Sequence, residues 1–285
     1  MTSDQDTLTP NHHPAFPAGP VVSVDWLAKH LGDDNVMVLC ASMGDPEAAR
    51  TSGIPGAFLA DLEADFSDQN AHLPHTVPAR LRDLLQNYGI SDDTTVVVYD
   101  RHGLMVAPRV WWLLRVAGLD RVGVLDGGLP AWTAAGHNTT ELSTPVGGGQ
   151  ITAEPRPELL VGIDGVEKSL ARSNQAVVDA RSSGRFAGVD PEPRPGISSG
   201  HIPGSENLPF DEVADAEGKL RPVVELREIF EELVGNATSL VFSCGSGVTA
   251  CVDAYAAVVA GYDNVSVYDG SWTEWAAPDN QKPIA

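Results

Sequence analysis

Four short motifs occur twice in this chain, in the same order, and that repetition limits the folds open to it. Ser23-Val24-Asp25-Trp26-Leu27, followed by a strand ending at Cys40, is echoed by Ile163-Asp164-Gly165-Val166 and the strand Ala176–Ala180. Gly53-Ile54-Pro55-Gly56 returns as His201-Ile202-Pro203-Gly204, and Thr95–Asp100 returns as Ser239–Cys244. Val124-Leu125-Asp126-Gly127-Gly128 returns as Val267-Tyr268-Asp269-Gly270-Ser271. Each copy alternates short apolar strands with helical stretches, predicted over residues 79–88, 105–117 and 224–234. Ser23 and Asp164 are the predicted N-caps of the opening helices. The alternation implies an α/β fold of two tandem units, each a mainly parallel sheet flanked by helices. The expected division is a flexible tail over 1–19, an N-terminal unit over 20–142, a linker over 143–158 rich in Pro and Gly, and a C-terminal unit over 159–285.

Charge narrows the partners. The formal net charge is −21, which argues against nucleic acid and anionic membranes. No run of apolar residues is long enough to span a bilayer, and the polar N-terminus has no apolar signal core, so the cytoplasm is the expected location. An acidic protein that binds an anion needs a local basic pocket, which makes its few arginines candidate ligands. The three cysteines, Cys40, Cys244 and Cys251, form neither a disulfide framework nor a zinc pattern. Cys40 and Cys251 lie in apolar stretches and read as packing residues.

Cys244 is different. It follows the apolar strand 239–242 and opens the run Cys244-Gly245-Ser246-Gly247-Val248-Thr249-Ala250, which leads into an Ala/Val-rich helix. This order puts a sulfur in a cup of backbone N–H groups at a helix N-terminus, where a thiolate is stabilised. Gly245 and Gly247 let the loop curl, and the N–H groups from Gly245 through Val248 to Thr249 are candidate anion donors. A cysteine between a strand and a glycine turn is poorly placed for core packing, so Cys244 is the candidate nucleophile. Ser246 reads either as a hydrogen-bond donor at the site or as a helix N-cap, and Thr249 is open in the same way. The first copy has Asp100 where the second has Cys244, which marks the second copy as catalytic and the first as supportive. Chemistry at the C-terminal end of a strand is expected in an open α/β sheet, and a cleft between the units would let the first lend side chains.

The paired Ile-Pro-Gly motifs, the paired Asp-Gly motifs followed by Trp, and a C-terminal Cys loop set against an N-terminal Asp resemble the two-domain rhodanese sulfurtransferases, over about residues 20 to 280. The loop Cys-Gly-Ser-Gly-Val-Thr-Ala is similar to the branch of that family that uses 3-mercaptopyruvate. The thiosulfate branch usually carries basic residues where this chain has Gly245 and Ser246. The resemblance implies that Arg185 and Arg194 hold the donor's carboxylate and carbonyl. It also implies that His75, in Leu73-Pro74-His75-Thr76-Val77-Pro78, joins Glu63 and Ser246 in a relay across the cleft. Glu63 stands where an Asp is common and one extra residue separates it from His75, so His72 and Asp61 remain rivals. The implied reaction moves sulfur from 3-mercaptopyruvate through a Cys244 persulfide to cyanide or to a thiol such as thioredoxin, releasing pyruvate without metal or organic cofactor. Thiosulfate as donor is the nearest alternative, and a non-enzymatic sulfur-binding module is a more distant one. A phosphatase would need an Arg where Ala250 stands.

Overall fold

The computed structural model describes residues 17 and 19–285, so all but two residues of the expected 1–19 tail lie outside the described part. In chain order the first half holds β1 (Val21–Val22), α1 (Val24–His30), β2 (Val36–Ser42), α2 (Glu47–Thr51), β3 (Phe58–Asp61), α3 (Leu81–Asn87), β4 (Thr95–Tyr99), α4 (Ala107–Val116), β5 (Val122–Leu125) and α5 (Gly128–Ala134). The second half repeats the plan. It holds β6 (Leu160–Val161), α6 (Ile163–Leu170), β7 (Gln175–Asp179), α7 (Ser183–Phe186), β8 (Glu206–Asn207), α8 (Val223–Val234), β9 (Ser239–Ser243), α9 (Ala250–Ala260), β10 (Asn264–Tyr268) and α10 (Ser271–Trp275).

Each half is a five-stranded sheet, ordered β1-β5-β4-β2-β3 and β6-β10-β9-β7-β8. Every pairing is parallel. The central strands read as apolar runs because both faces are covered by helices: all of β4 is buried, and all of β9 except Ser239. The expected helices begin or end within two residues of those observed. One cap differs from expectation. Ser23 does accept the N–H of Trp26 at 3.2 Å, but α6 begins after Gly162, which is extended, and Asp164 lies inside its first turn. A carboxylate there still favours the helix N-terminus through its charge.

The two halves meet along α4 and α9. Both helices are buried nearly all round, since each covers its own sheet and faces the other domain. The Trp111 and Tyr255 rings meet edge-on with centroids 5.0 Å apart. Trp112 Nε1 donates to Leu159 O at 3.1 Å and the Tyr255 hydroxyl to Pro20 O at 3.3 Å, the same contact made once in each direction. One apolar cluster therefore runs through both domains. Truncating a tryptophan in it costs about 3–5 kcal/mol, enough to hold the two sheets in a set relation and so to shape the cleft between them.

The segment from 143 to 158 is bonded to the first domain. Gly149 N donates to Gln86 O at 3.0 Å, the Asp92 carboxylate accepts from Thr152 N at 3.0 Å, and Arg156 N reaches Val116 O at 2.8 Å. Among the described residues no helix is long and apolar enough to cross a membrane.

Candidate active site

Strand β9 delivers Cys244 to the C-terminal edge of the second sheet. Cys244 N donates to Ser271 Oγ at 3.1 Å, and Cys244 O accepts from Trp272 N at 3.0 Å. Gly245 O accepts from both the N–H (3.1 Å) and the hydroxyl (2.6 Å) of Thr273. The start of α10 thus fixes the floor of the loop. Gly247 has φ +75°, and a Cβ there would stand 2.8 Å from Asp269 O, so no side chain fits. A Cβ on Gly245 would stand 3.0 Å from Arg185 Nη2 and 3.5 Å from Arg194 Nη1, which places both guanidiniums directly over bare backbone. Among the described residues, the N–H groups of Gly245 through Ala250, those of Val248 and Thr249 included, find no acceptor within the chain. They form an open nest at the head of α9. Thr249 is the N-cap residue of α9 but makes no side-chain capping bond, and Ser246 faces the cleft instead of capping.

One expectation is corrected. Cys244 is only 2% exposed and belongs to the apolar cluster. The strand end carries it to the buried junction of sheet, α9 and the first domain, so both packing and a polar loop surround the sulfur.

The first domain supplies the opposite wall. His75 Nδ1 lies 2.9 Å from Ser246 Oγ, and His75 Nε2 lies 3.3 Å from Glu63 Oε1. A carboxylate can only accept, so Glu63 places the proton on Nε2 and leaves Nδ1 to accept from the Ser246 hydroxyl. Ser246 Oγ accepts in turn from Arg194 Nη2 at 3.1 Å. Neither rival joins the relay: His72 lines the same cavity but is exposed and makes no hydrogen bond to Ser246 or Glu63 among the described residues, and Asp61 Oδ1 is used locally on Glu63 N at 2.9 Å. Burial lowers the His75 pKa below its ordinary 6.5, against the Glu63 carboxylate, which raises it; Arg194 and Arg109 add to the lowering. The ring is accordingly neutral near pH 7.

Two further residues, Arg109 and Asp269, hold this wall in place. Arg109, on α4, is fully buried. Its Nη2 donates to His75 O and to Asp269 Oδ1, each at 2.6 Å, and its Nη1 donates to Gly247 O at 3.2 Å. Asp269 Oδ2 accepts from Val77 N at 3.0 Å. His75 has φ +57°, a left-handed conformation uncommon outside glycine, and the pinned carbonyl helps to maintain it. Arg109, Asp269 and Thr273 were not singled out in the sequence. A cation inside the apolar run Val106–Leu114 was the available signal for Arg109, and the repeated Asp-Gly motif was the signal for Asp269.

Arg185 is already paired. Its Nη2 lies 2.7 Å from Glu192 Oε2, and Arg181 Nη1 lies 2.8 Å from Glu192 Oε1. Arg194 makes no ion pair among the described residues. It lines a cavity of about 440 Å³ together with Glu63, His72, His75, Ile197 and Thr273. The arrangement offers a buried thiol, an open nest of amides, two guanidiniums and a neutral imidazole–hydroxyl pair. Such a set can hold a small anion and move a proton beside the sulfur.

A rhodanese-like domain pattern matches residues 23–135 and again residues 163–278. Thiosulfate/3-mercaptopyruvate sulfurtransferase 2 of Arabidopsis thaliana is 38% identical, over 98% of this chain and 91% of the relative. The 3-mercaptopyruvate sulfurtransferase of Escherichia coli (strain K12) is 36% identical, over 90% of this chain and 94% of its own length. Among solved structures, SseA from Escherichia coli, described as a 3-mercaptopyruvate sulfotransferase with the rhodanese fold, superposes with a TM-score of 0.75. It is 34% identical and covers 89% of this chain and 99% of its own.

Proposed function

This chain belongs to the rhodanese family of sulfurtransferases, and from that premise we propose that it moves sulfur from 3-mercaptopyruvate through a persulfide on Cys244. The observation that carries the choice of donor is the pairing of Arg185 and Arg194 over Gly245, beside an uncharged Ser246. Two planar forks suit a 2-oxo acid, whose carboxylate and carbonyl oxygens lie in one plane. Thiosulfate offers no such plane, and the loop gives it no cation of its own.

The donor's carboxylate and carbonyl sit on Arg185 and Arg194. Its thiol proton passes through Ser246 to the free Nδ1 of His75, and Glu63 steadies the imidazolium. The Cys244 thiolate attacks the donor sulfur; an S–S bond forms, the C–S bond breaks, and its electron pair stays on carbon as the pyruvate enolate. Arg194 stabilises the enolate oxygen, and the proton returns from His75 through Ser246 to that carbon, giving pyruvate. The persulfide anion on Cys244 is then stabilised by the amide nest of Gly245, Gly247, Val248 and Thr249. Cyanide or a thiol such as reduced thioredoxin removes the outer sulfur and regenerates the thiolate. These small donors and acceptors are compatible with a cytoplasmic enzyme.

The test is a comparison of donors. With cyanide as acceptor, kcat/KM for 3-mercaptopyruvate should exceed that for thiosulfate, and donor without acceptor should add one sulfur to Cys244, read by mass spectrometry. A preference for thiosulfate defeats the assignment of donor. Absence of added sulfur defeats the assignment of nucleophile.

A further inference from the structure

Arg185 reaches the cradle at the end of a chain of alternating charge. Asp179 grips Arg181 through Nε and Nη2, with contacts of 2.6–3.0 Å. Arg181 lies over the Trp272 ring at 4.5 Å from its centroid and passes Nη1 to Glu192. Glu192 then takes Nε and Nη2 of Arg185 at 3.2 and 2.7 Å. The Arg181, Asp179 and Glu192 side chains are at most 4% exposed, whereas that of Arg185 is 25% exposed. The buried members form a rigid stem, and Arg185 is its tip.

The stem fixes the charge of the cradle. Asp179 balances Arg181, and Asp269 balances Arg109 across the floor. Gly245 and Ser246 bring no charge, and His75 is neutral. Glu63, half exposed at the rim, is largely screened by water. What faces the donor is two guanidiniums, Arg185 and Arg194, less one buried carboxylate, Glu192. These three side chains sum to a single positive charge, before the Cys244 thiolate that attacks either donor is counted and with Asp68 also lining the cavity.

We propose that Glu192 is a specificity-determining residue. By cancelling one of the two guanidinium charges, it penalises a donor with two negative charges more than a donor with one. This inference rests on the donor assignment above and explains it by charge. A 2-oxo acid with its thiol protonated brings one negative charge to the cradle. Thiosulfate brings two, and the second adds repulsion from a carboxylate that water cannot reach, where charges interact far more strongly than in bulk solvent. Glu192 also orients Arg185, so its charge and its geometry must be tested apart.

The experiment measures kcat/KM for both donors, with cyanide as acceptor and at low salt, in the wild type and three variants. Glu192→Gln keeps the length and an acceptor oxygen but removes the charge. Glu192→Asp keeps the charge but shortens the arm. Ile197→Lys adds a positive charge to the same cavity from outside the ion-pair chain, so the question stays answerable if Glu192→Gln does not fold. The expected result is a shift of roughly tenfold in the ratio of specificity constants toward thiosulfate for Glu192→Gln and Ile197→Lys. Glu192→Asp should weaken both donors with the ratio unchanged. An unchanged ratio in either folded charge variant overturns the inference. A wild type that itself prefers thiosulfate overturns the donor assignment instead, so the two failures are distinguishable.

Discussion

The Asp100 loop and the Cys244 loop are one piece of architecture put to two uses. Both follow the central strand of their sheet, and both precede a buried helix that faces the other domain. In the first domain the Asp100 carboxylate takes the N–H groups of His102, Met105, Val106 and Ala107 at 2.7–2.9 Å. The nest is filled by an anion built into the chain. In the second domain the corresponding amides are left without an acceptor, and a thiol stands where the carboxylate would be. The first loop thus demonstrates what the second is shaped to receive: a negative charge at a helix head. The docking contacts repeat as well. Asp126 Oδ1 accepts from Leu220 N at 2.9 Å as Asp269 Oδ2 accepts from Val77 N at 3.0 Å. The cavities differ. The one beside the Asp100 loop, about 800 Å³, has Lys219 as its only Lys or Arg among the described residues, with many apolar neighbours. The other is lined by Arg194, which shares the space over Gly245 with Arg185.

The comparison breaks most severely if the thiol is not the difference that matters. Cys244→Ser should lower sulfur transfer by at least about a thousandfold and abolish persulfidation. Placing a thiol in the first nest, Asp100→Cys in the Cys244→Ser background, should not restore turnover, because no guanidinium pair stands over that loop. Restored turnover would show that the nest alone suffices.

Stability should be asymmetric too. Asp100→Ala strands up to four amides in a buried site and should cost about 3 kcal/mol, read by urea unfolding. Cys244→Ala, in a nest already without an internal acceptor, should cost less. Equal losses would mean that the first loop is not held together by its carboxylate.

His75→Ala should lower kcat/KM for 3-mercaptopyruvate by about a hundredfold and for thiosulfate much less, since sulfite leaves without a proton on carbon. In the wild type, activity with 3-mercaptopyruvate should fall on acidification with a midpoint below 6.5, as the buried imidazole gains the proton that blocks Nδ1. A midpoint above 6.5 would contradict the neutral, desolvated ring. Glu63→Gln is the smallest effect, about threefold, because the Glu63 side chain is 51% exposed. Removing the carboxylate that raises the His75 pKa should move the acid midpoint still lower.

Much of this was legible in the residues. The repeat implied two parallel sheets because apolar β-branched runs alternating with helical stretches have few other ways to cover both faces. The Cys-Gly-x-Gly run at a strand end located the loop because its geometry is local. Arg185 and Arg194 were visible only as a pattern, and neither pairing nor charge balance could be read from it, because the sequence leaves open which arginine Glu192 meets. Ser246 was open between cleft and cap until the fold aimed its hydroxyl at His75. The choice between His75 and His72 was likewise open, because three residues along a loop decide which ring is buried, and loops carry no periodicity to reveal it.

Residue order alone sufficed for the two-unit plan, the strand–loop–helix around Cys244 and the absence of a built-in anion in that loop, since these depend on neighbours in the chain. Three-dimensional packing was needed to bring Arg109 to Asp269 across 160 positions and His75 to Ser246 across 171. It was also needed to bury Cys244 rather than leave it at a surface turn. Those relations arise where α4 and α9 press two domains together. They are set by how whole surfaces fit, which no local stretch of either helix encodes.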